Sequence, residues 1–314
     1  MNHSAGRRHF LATLGLGVGC AQLMRLRAAD DTAQPIIDIH QHTRYHGRTD
    51  RRLIAHQRAM GITSTILLPA GSPVNQPSTY RGRANGLAAN CAGNQEVYEL
   101  AQKYPQEFLF FANEVPDIAE TRNNLEKYLK LGAIGIGEQK FGLEVDCRPM
   151  RLIYDIAREF DVPVLMHFQH ERYNLGLERF HRILEEYPTV KFIGHAQTWW
   201  GNIDKNHEQK SMYPAGNVTA GGLTDQLLKN YSNLFADHSA GSGLNALIRD
   251  EDHARGFIAR HPDQLLYGSD CADAIGRGPG CQGTQTLKAL RRLAPDKAVE
   301  RKILCENSKK LFKL

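Results

Sequence analysis

Short runs of apolar residues recur along the chain, and longer segments with helical periodicity lie between them. The runs are rich in β-branched and aromatic residues, as in ITSTILLP and VPVLMHF, which favours strands. The intervening segments, such as LGLERFHRILEEYP, repeat leucine and aromatic residues every three or four positions, which indicates amphipathic helices. Eight strands are predicted in this way, at residues 35–40, 62–69, 107–113, 133–140, 162–168, 190–196, 233–239 and 264–270.

The predicted strands are almost entirely apolar, so both faces of their sheet are expected to be buried. Such strands alternating with helices predict an α/β fold with a parallel sheet. The count of eight favours a closed (β/α)8 TIM barrel over an open doubly wound sheet. No G-x-G-x-x-G motif follows the first strand, and neither a Walker loop nor a linker occurs in the chain, so we predict one domain at residues 30–314. The long insertion at 197–222, after strand six, is expected to shape a substrate pocket.

The first 29 residues have the layout of a secretory leader. Arg7 and Arg8 precede an apolar run at 10–24 that contains glycine, and small residues follow it. The order R-R-x-F-L resembles a twin-arginine signal peptide, which the twin-arginine export machinery reads when it exports folded proteins. We therefore predict a signal peptide at 1–29 and a periplasmic or otherwise exported protein. Lipoprotein processing at Cys20 is a less favoured alternative, because leucine is absent three residues before it.

Charge changes the expected partners once the leader is set aside. The formal net charge is +5, but the predicted leader contains four arginines and no acidic residue, so the remainder carries +1. A nearly neutral protein lacks the basic footprint of a nucleic-acid or anionic-lipid binder. No apolar run reaches the length of a mature membrane span, and the composition, 41% hydrophobic and 23% charged, is that of an ordinary globular enzyme.

Five cysteines remain after the leader, and they contain no C-x-x-C pair that would indicate structural zinc. An oxidising compartment permits a disulfide between Cys271 and Cys281. The sequence leaves that pairing open.

Ionisable residues gather where the predicted strands end. Active sites of (β/α)8 barrels lie at the C-terminal ends of the strands, so these residues would share one rim. Alternate side chains of an extended chain share a face, so His40 and His42 are expected to point the same way, together with Asp38. Each residue alone has an ordinary structural explanation, such as a helix cap or a buried ion pair, but six at one rim indicate a metal site. The candidate ligands are His40 and His42 on strand one, Glu138 on strand four, His167 on strand five, His195 on strand six and Asp270 on strand eight.

Imidazole and carboxylate ligands suit zinc, manganese or iron, and we expect a divalent ion with zinc as the first choice. Such an ion lowers the pKa of bound water toward about 7 and so produces hydroxide at neutral pH. Asp270 is the candidate catalytic residue that accepts the proton of the attacking water. His195 is the second candidate catalytic residue, placed to polarise a substrate carbonyl.

Five motifs occur in order along the chain: DIHQH, PVLMH, KFIGHA and LLYGSD on strands one, five, six and eight, and ENSKKLF near the C-terminus. Together they resemble the amidohydrolase-related (amidohydrolase 2) family of the metal-dependent hydrolase superfamily. The resemblance implies that His40, His42, His167 and Asp270 bind a divalent metal, with His195 a further ligand or the catalytic histidine. The family includes hydrolases of amides, esters and lactones, and also non-oxidative decarboxylases related to aminocarboxymuconate-semialdehyde decarboxylase.

Glu138 decides between one metal ion and two. The stretch GIGEQKFGLEVD is similar to a segment of TatD-like hydrolases in which the strand-four glutamate bridges two metals, whereas decarboxylase-type members have no ligand there. A bridging Glu138 would favour hydrolysis. The alternative is an ordinary ion pair between Glu138 and Lys140, which share a strand face. A carboxylated lysine bridge, as in some superfamily members, is a lesser alternative.

Five residues are candidates for substrate binding: Lys140, Arg44, Tyr45, His170 and Trp199. Cations and aromatic rings beside a metal are suited to a planar acid. Hydrophobic packing is the alternative for Trp199, and a solvated position is the alternative for His170. Asp237, at the end of strand seven, is a candidate for orienting a ligating imidazole.

The sequence therefore predicts an exported, metal-dependent hydrolase of a small carbonyl substrate, an amide, ester or lactone, that uses metal-activated water. A non-oxidative decarboxylase with the same ligands is the alternative among enzymes, and an inactive ligand-binding barrel is the alternative outside them. Family members are often dimeric, which offers a homodimer by analogy only, and the sequence itself leaves the oligomeric state open. The sequence does not identify the substrate.

Overall fold

Eight short parallel strands occur where the sequence predicts them. In the computed structural model, which describes residues 34–79, 82–83 and 91–314, each predicted apolar run coincides with one strand, and β1 extends one residue beyond its run. The predicted signal peptide at 1–29 lies outside the described residues, and Pro35–Leu314 form one compact unit. The strands are β1 Ile37–Gln41, β2 Ser64–Leu67, β3 Phe108–Phe110, β4 Ile136–Gln139, β5 Val164–His167, β6 Phe192–His195, β7 Leu234–Asp237 and β8 Leu265–Leu266.

The strands form two parallel sheets that meet on both sides. One sheet has the order β1-β2-β3 and the other β4-β5-β6-β7-β8. Between β3 and β4, the backbone N–H of Ala112 donates to the carbonyl of Gly135 at 2.9 Å. Between β8 and β1, Ile39 donates to Tyr267 at 3.1 Å, and beyond the strand Asp270 donates to His40 at 2.8 Å. These bonds join the sheets into the predicted (β/α)8 barrel.

Helices follow the strands on the outside of the barrel, with ends set by local chemistry. The first helix begins after Thr49, whose side chain accepts a hydrogen bond from the Arg52 N–H, and ends at Gly61, which adopts the left-handed conformation. The described helices are α1 Asp50–Met60, α2 Asn94–Lys103, α3 Thr121–Lys130, α4 Arg148–Phe160, α5 Phe180–Glu186, α6 Gln197–Gly201, α7 Leu223–Asn230, α8 Ala240–Ile248, α9 Glu251–Arg260, α10 Gln282–Leu293, α11 Lys297–Arg301 and α12 Asn307–Phe312.

The apolar side chains form two main layers. A large cluster lies between strands and helices and includes Tyr154, Phe192 and Trp199. A smaller cluster takes residues from or beside every strand, among them Ile39 and Ile193, and fills the barrel interior. No helix in the described ranges is long and apolar enough to cross a membrane.

Candidate metal centre

Irregularities in β1 and β4 bring two polar side chains to the inner rim of the barrel. Ile37 and Ile39 pack in the interior, so strict alternation would turn His40 outward. The pairing of β1 with β2 shifts register between Asp38 and Gln41, and the pairing of β4 with β5 shifts between Ile136 and Gln139. A local shift of this kind re-aims side chains, which accounts for the inward positions of His40 and Glu138.

Asp38 does not share this face, contrary to expectation. Its carboxylate accepts hydrogen bonds from Gln57 of α1 at 3.0 Å and from the backbone N–H of Ser269 at 2.8 Å. These hydrogen bonds connect β1 to α1 and to the segment after β8.

Three imidazoles surround the Glu138 carboxylate. One oxygen, Oε2, lies 3.6 Å from Nε2 of His40 and 3.5 Å from Nε2 of His42, and Oε1 lies 3.8 Å from Nε2 of His195. The Asp270 carboxylate faces the same three nitrogens at 3.9, 3.6 and 3.9 Å. All five residues are buried. The structure thus brings five of the six predicted ligands to one point.

The second nitrogen of each imidazole is engaged by a hydrogen bond. Nδ1 of His42 lies 2.8 Å from the carbonyl oxygen of Leu68, which can only accept, so Nδ1 carries the proton. Nδ1 of His40 donates to Asp237 at 2.7 Å. Nδ1 of His195 lies 3.0 Å from Oγ of Ser239, whose hydroxyl donates to Asp237 at 2.7 Å. When the imidazoles are neutral, as metal binding requires, this arrangement directs their Nε2 lone pairs at the centre.

The residues present fit a divalent metal ion. His40 Nε2 and Asp270 Oδ1 are buried and have no hydrogen-bond partner in the part of the chain that the structure describes. Two sets of atoms lie close enough to hold an ion: His40, His42 and Asp270, and His40, Glu138 and His195. Nitrogen and carboxylate oxygen donors in a buried site are the ligand set of zinc or manganese.

The electrostatics of the site favour a cation. Burial opposes ionisation of Glu138, but the charges of Lys140 and His167 hold its pKa well below the usual range. Burial also opposes protonation of His42, yet contacts with Cys91 and with Glu138 raise its pKa to about 10. These shifts show that the carboxylates of the cluster attract positive charge, which a divalent ion supplies once the imidazoles are deprotonated.

His167 occupies a different position from the other predicted ligands. Its Nδ1 hydrogen bonds to Oε1 of Glu138, and its Nε2 lies 3.3 Å from Oε1 of Gln169. Burial lowers the pKa of His167. Neither of the two ion-holding sets at this rim includes it. Its role as a metal ligand stays a prediction, and its observed contact orients Glu138.

A cavity of about 410 Å³ opens onto His195 and Asp270. This volume is in the range of small-molecule sites. Two of the predicted substrate-binding residues, Lys140 and Tyr45, line it. The 197–222 insertion contributes as expected, through Gln197 and Tyr213. Polar groups at the mouth are Lys140, Tyr45, Gln197, Tyr213, Asn245 and Gln282.

Three predicted substrate-binding residues lie elsewhere. Arg44 is exposed, lines a separate surface cleft and faces Glu96 at 3.7 Å. His170 is half-buried and lines another cleft, where its backbone N–H donates to Thr198. Trp199 is fully buried, and this corrects the expectation that it forms part of the pocket.

The position of Trp199 follows from a glycine in β6. A Cβ atom at Gly194 would lie 2.5 Å from the Trp199 indole, so only glycine leaves room for the ring. The indole stacks on Phe168 with ring centroids 5.9 Å apart. Trp199 is therefore a core residue, the packing alternative that its sequence context left open.

Ser239 and Cys91 contribute to the site without having been predicted. Ser239 links His195 to Asp237, as described above, and Cys91 interacts with His42. No sequence signal marks Cys91, which lies between strands, whereas the run ADHS at the end of β7 carries both Asp237 and Ser239.

The two cysteines considered for a disulfide, Cys271 and Cys281, are free thiols.

Comparison with known proteins agrees with the barrel fold and with a metal-dependent family. The family model Amidohydro_2, Amidohydrolase, matches residues 37–314, so the chain belongs to the amidohydrolase 2 family. This family is metal-dependent, and the family and its structural neighbours include both hydrolases and decarboxylases. No curated protein matched the sequence.

Solved structures share the fold at low sequence identity. The 2,6-dihydroxybenzoate decarboxylase from Rhizobium is 15% identical, with a TM-score of 0.57 over 89% of this chain and 99% of that chain. A probable 2-pyrone-4,6-dicarboxylic acid hydrolase from Acinetobacter baumannii, with citric acid bound, is 16% identical, with a TM-score of 0.57 over 89% and 99%. A dihydroxybenzoic acid decarboxylase from Polaromonas with bound manganese is 15% identical, with a TM-score of 0.53 over 90% and 97%.

Proposed function

We propose that this protein is a metal-dependent hydrolase of a small carbonyl compound, an amide, an ester or a lactone. The position of Glu138 carries the proposal. One of its oxygens faces His40 and His42, and the other faces His195. A buried carboxylate with imidazoles on both oxygens is suited to bridging two ions, the arrangement that favours hydrolysis.

A divalent ion held here, zinc in our proposal, would supply Lewis-acid activation of the substrate carbonyl and a lowered pKa of the attacking water. Asp270 accepts the proton of that water, since its Oδ1 is buried and has no hydrogen-bond partner among the described residues. His195 acts as a ligand in this scheme, because Nδ1 carries its proton and Nε2 has none to donate to a carbonyl.

The cavity supports an anionic, planar substrate. Lys140 is a cation on its wall, and Tyr45 and Tyr213 supply aromatic surface. A carboxylate on the substrate would bind at Lys140 while its reacting carbonyl faces Asp270. Ring-containing carboxylic acids are the compounds named for both the Rhizobium and the Acinetobacter baumannii proteins.

The same cavity makes a non-oxidative decarboxylase the second candidate. In that reaction the carboxylate beside the ion leaves as carbon dioxide, and a neighbouring acid returns a proton to carbon. Asp270 would be that acid. The contact between Glu138 and His167 favours this reading, since a Glu138 held by His167 is less free to bridge two ions.

Metal content and turnover distinguish the two reactions. We would measure zinc and manganese per chain, and turnover of ester, lactone, amide and aromatic acid substrates, for the wild type and for Glu138→Ala. If Glu138→Ala loses both one ion and its hydrolytic activity, the result supports the hydrolase. Full activity of Glu138→Ala with one ion contradicts it, and His170→Ala, outside the cavity, is the control. An inactive ligand-binding barrel would bind the compounds without turnover.

We also propose that the protein is exported after folding, as the twin arginines of the leader indicate. Cell fractionation and N-terminal sequencing test this. We expect a periplasmic form that begins near residue 30, and Arg7→Lys with Arg8→Lys should retain the protein in the cytoplasm. A full-length cytoplasmic wild-type protein would contradict the proposal.

A further inference from the structure

A second cluster of metal-binding side chain types lies outside the cavity. His56 belongs to α1, and Cys271 and Cys281 both lie in the segment between β8 and α10, with Cys281 directly before the helix. All three are buried, and one ligand atom from each lies within 4.8 Å of the others. The thioether of Met60, one helical turn after His56, lies 3.7 Å from the Cys281 sulfur.

The spacing of these atoms matches tetrahedral coordination. The sulfurs of Cys271 and Cys281 are 3.7 Å apart, and Nε2 of His56 lies 3.4 Å from the Cys281 sulfur. Two thiolates at about 2.3 Å from a tetrahedral zinc ion stand about 3.8 Å apart, and a thiolate and an imidazole nitrogen about 3.5 Å. Sulfurs on opposite sides of an ion would be about 4.6 Å apart. These two distances therefore fit a tetrahedral ion better than a linear one.

We propose that His56, Cys271 and Cys281, with Met60 as the fourth ligand, form a structural zinc site. Sulfur and imidazole donors suit zinc. Two thiolates balance the charge of one zinc ion, while neutral imidazole and thioether add none, so the filled site carries no net buried charge. Binding releases the two thiol protons to water.

The backbone around Cys281 supports the thiolate that zinc requires. Its sulfur caps α10 and accepts the N–H of Thr284 at 3.4 Å. A helix N-terminus stabilises negative charge. A side chain at Gly283 would place its Cβ 3.1 Å from the Met60 sulfur, so this glycine permits the close approach of α10 to α1.

The site would fix the segment that carries part of the catalytic cavity. Asp270 directly precedes Cys271, and Gln282 directly follows Cys281, and both line the cavity. The side chain of Gln282 donates to the backbone carbonyl of Asp270 at 2.8 Å. A zinc ion between the two cysteines would close residues 271–281 as a loop and hold both of its ends. This role is independent of the reaction proposed above, because none of the four ligands lines the cavity.

Cobalt substitution tests the site without reference to activity. The full protein is produced in cells grown with Co²⁺, so that the buried site loads during folding, and the absorption spectrum is recorded. Thiolate-to-cobalt charge transfer gives near-ultraviolet bands that nitrogen and oxygen ligands do not produce. We expect the bands in the wild type, their loss in Cys281→Ser and in Cys271→Ser, and about one zinc per chain less in either variant grown with zinc.

Two cysteine variants serve as controls. Cys305→Ser is matched for burial, and Cys91→Ser removes the thiol beside His42. Both should keep the bands. Circular dichroism shows whether each variant folds, and because Cys271→Ser and Cys281→Ser test the same site, either one that folds decides the question.

Three results would overturn the proposal. The first is a wild-type cobalt protein without thiolate bands. The second is a wild-type protein in which denaturation without reductant exposes two fewer thiols than denaturation with reductant, which would mean that Cys271 and Cys281 form a disulfide. The third is copper rather than zinc in the purified wild type, lost in Cys281→Ser.

Discussion

His40, His42 and His195 direct Nε2 at the metal centre because Nδ1 of each ring is hydrogen-bonded. For His40 and His195 the final acceptor is one carboxylate, that of Asp237, reached directly by the first and through Ser239 by the second. Asp237 does not touch the proposed ion. It sets the tautomer and the orientation of two ligands, which makes it a positioning residue.

Replacing Asp237 with asparagine should weaken metal binding with little change in the fold. An amide can present its N–H₂ group to Nδ1 of His40 and so favour the wrong tautomer. Losses of about 10-fold to 100-fold in metal affinity are typical of such changes. Competition with a chromophoric chelator measures the affinity, and Asp263→Asn, on the surface, is the control. Unchanged affinity would contradict the role of Asp237.

Trp199→Ala should destabilise the protein by about 3–5 kcal/mol, as expected for a large aromatic side chain removed from a core. The side chain is fully buried and fills the space beside Gly194. Urea unfolding measures the free energy. A raised KM with unchanged stability would instead support the original substrate-binding prediction for Trp199.

At the scale of elements, sequence periodicity was sufficient to locate all eight strands, since near-continuous apolar runs bounded by turns are a local signal. The inward turn of His40 and Glu138 was not predictable from spacing, because it depends on register shifts between paired strands. Alternation placed Asp38 on the wrong face for this reason. The burial of the Trp199 side chain likewise depends on a neighbour distant in sequence, Phe168, and on the absence of a Cβ at Gly194.

The contact between α7 and α9 gives a prediction about acid stability. Asp225 of α7 accepts hydrogen bonds from His261 at 2.6 Å and from Arg260 at 2.9 Å. Burial opposes ionisation of Asp225, but these partners outweigh it and lower its pKa. Because the folded-state pKa is depressed, the ionised carboxylate stabilises the fold at a pH above its ordinary pKa of about 3.9. This stabilisation is lost as the pH falls through the folded-state pKa.

Asp225→Asn should therefore reduce the free energy of unfolding at pH 7 by about 1–3 kcal/mol, which lowers the melting temperature. It should also reduce the loss of stability between about pH 5 and the folded-state pKa. Melting curves across this range test both effects, with Asp252→Asn, an exposed residue of α9, as the control. Parallel pH profiles for Asp225→Asn and the wild type would refute the argument.

At the scale of the molecule, a barrel interior packed with apolar residues supports a polar rim at one end, where residues from six strands or their following loops converge. Family membership over 37–314 agrees with this architecture. The oligomeric state stays open, and sedimentation velocity of the purified protein would test the homodimer that family analogy offers.

Anomalous diffraction at the absorption edge of the metal found in the purified protein tests the metal centre most directly. We expect a peak about 2.0–2.2 Å from the Nε2 atoms of His40 and His42 and from a carboxylate oxygen of Asp270 or Glu138. The peak should disappear from crystals of His40→Ala with His42→Ala. A fully loaded protein whose crystals show no anomalous density among these residues would contradict the proposed centre.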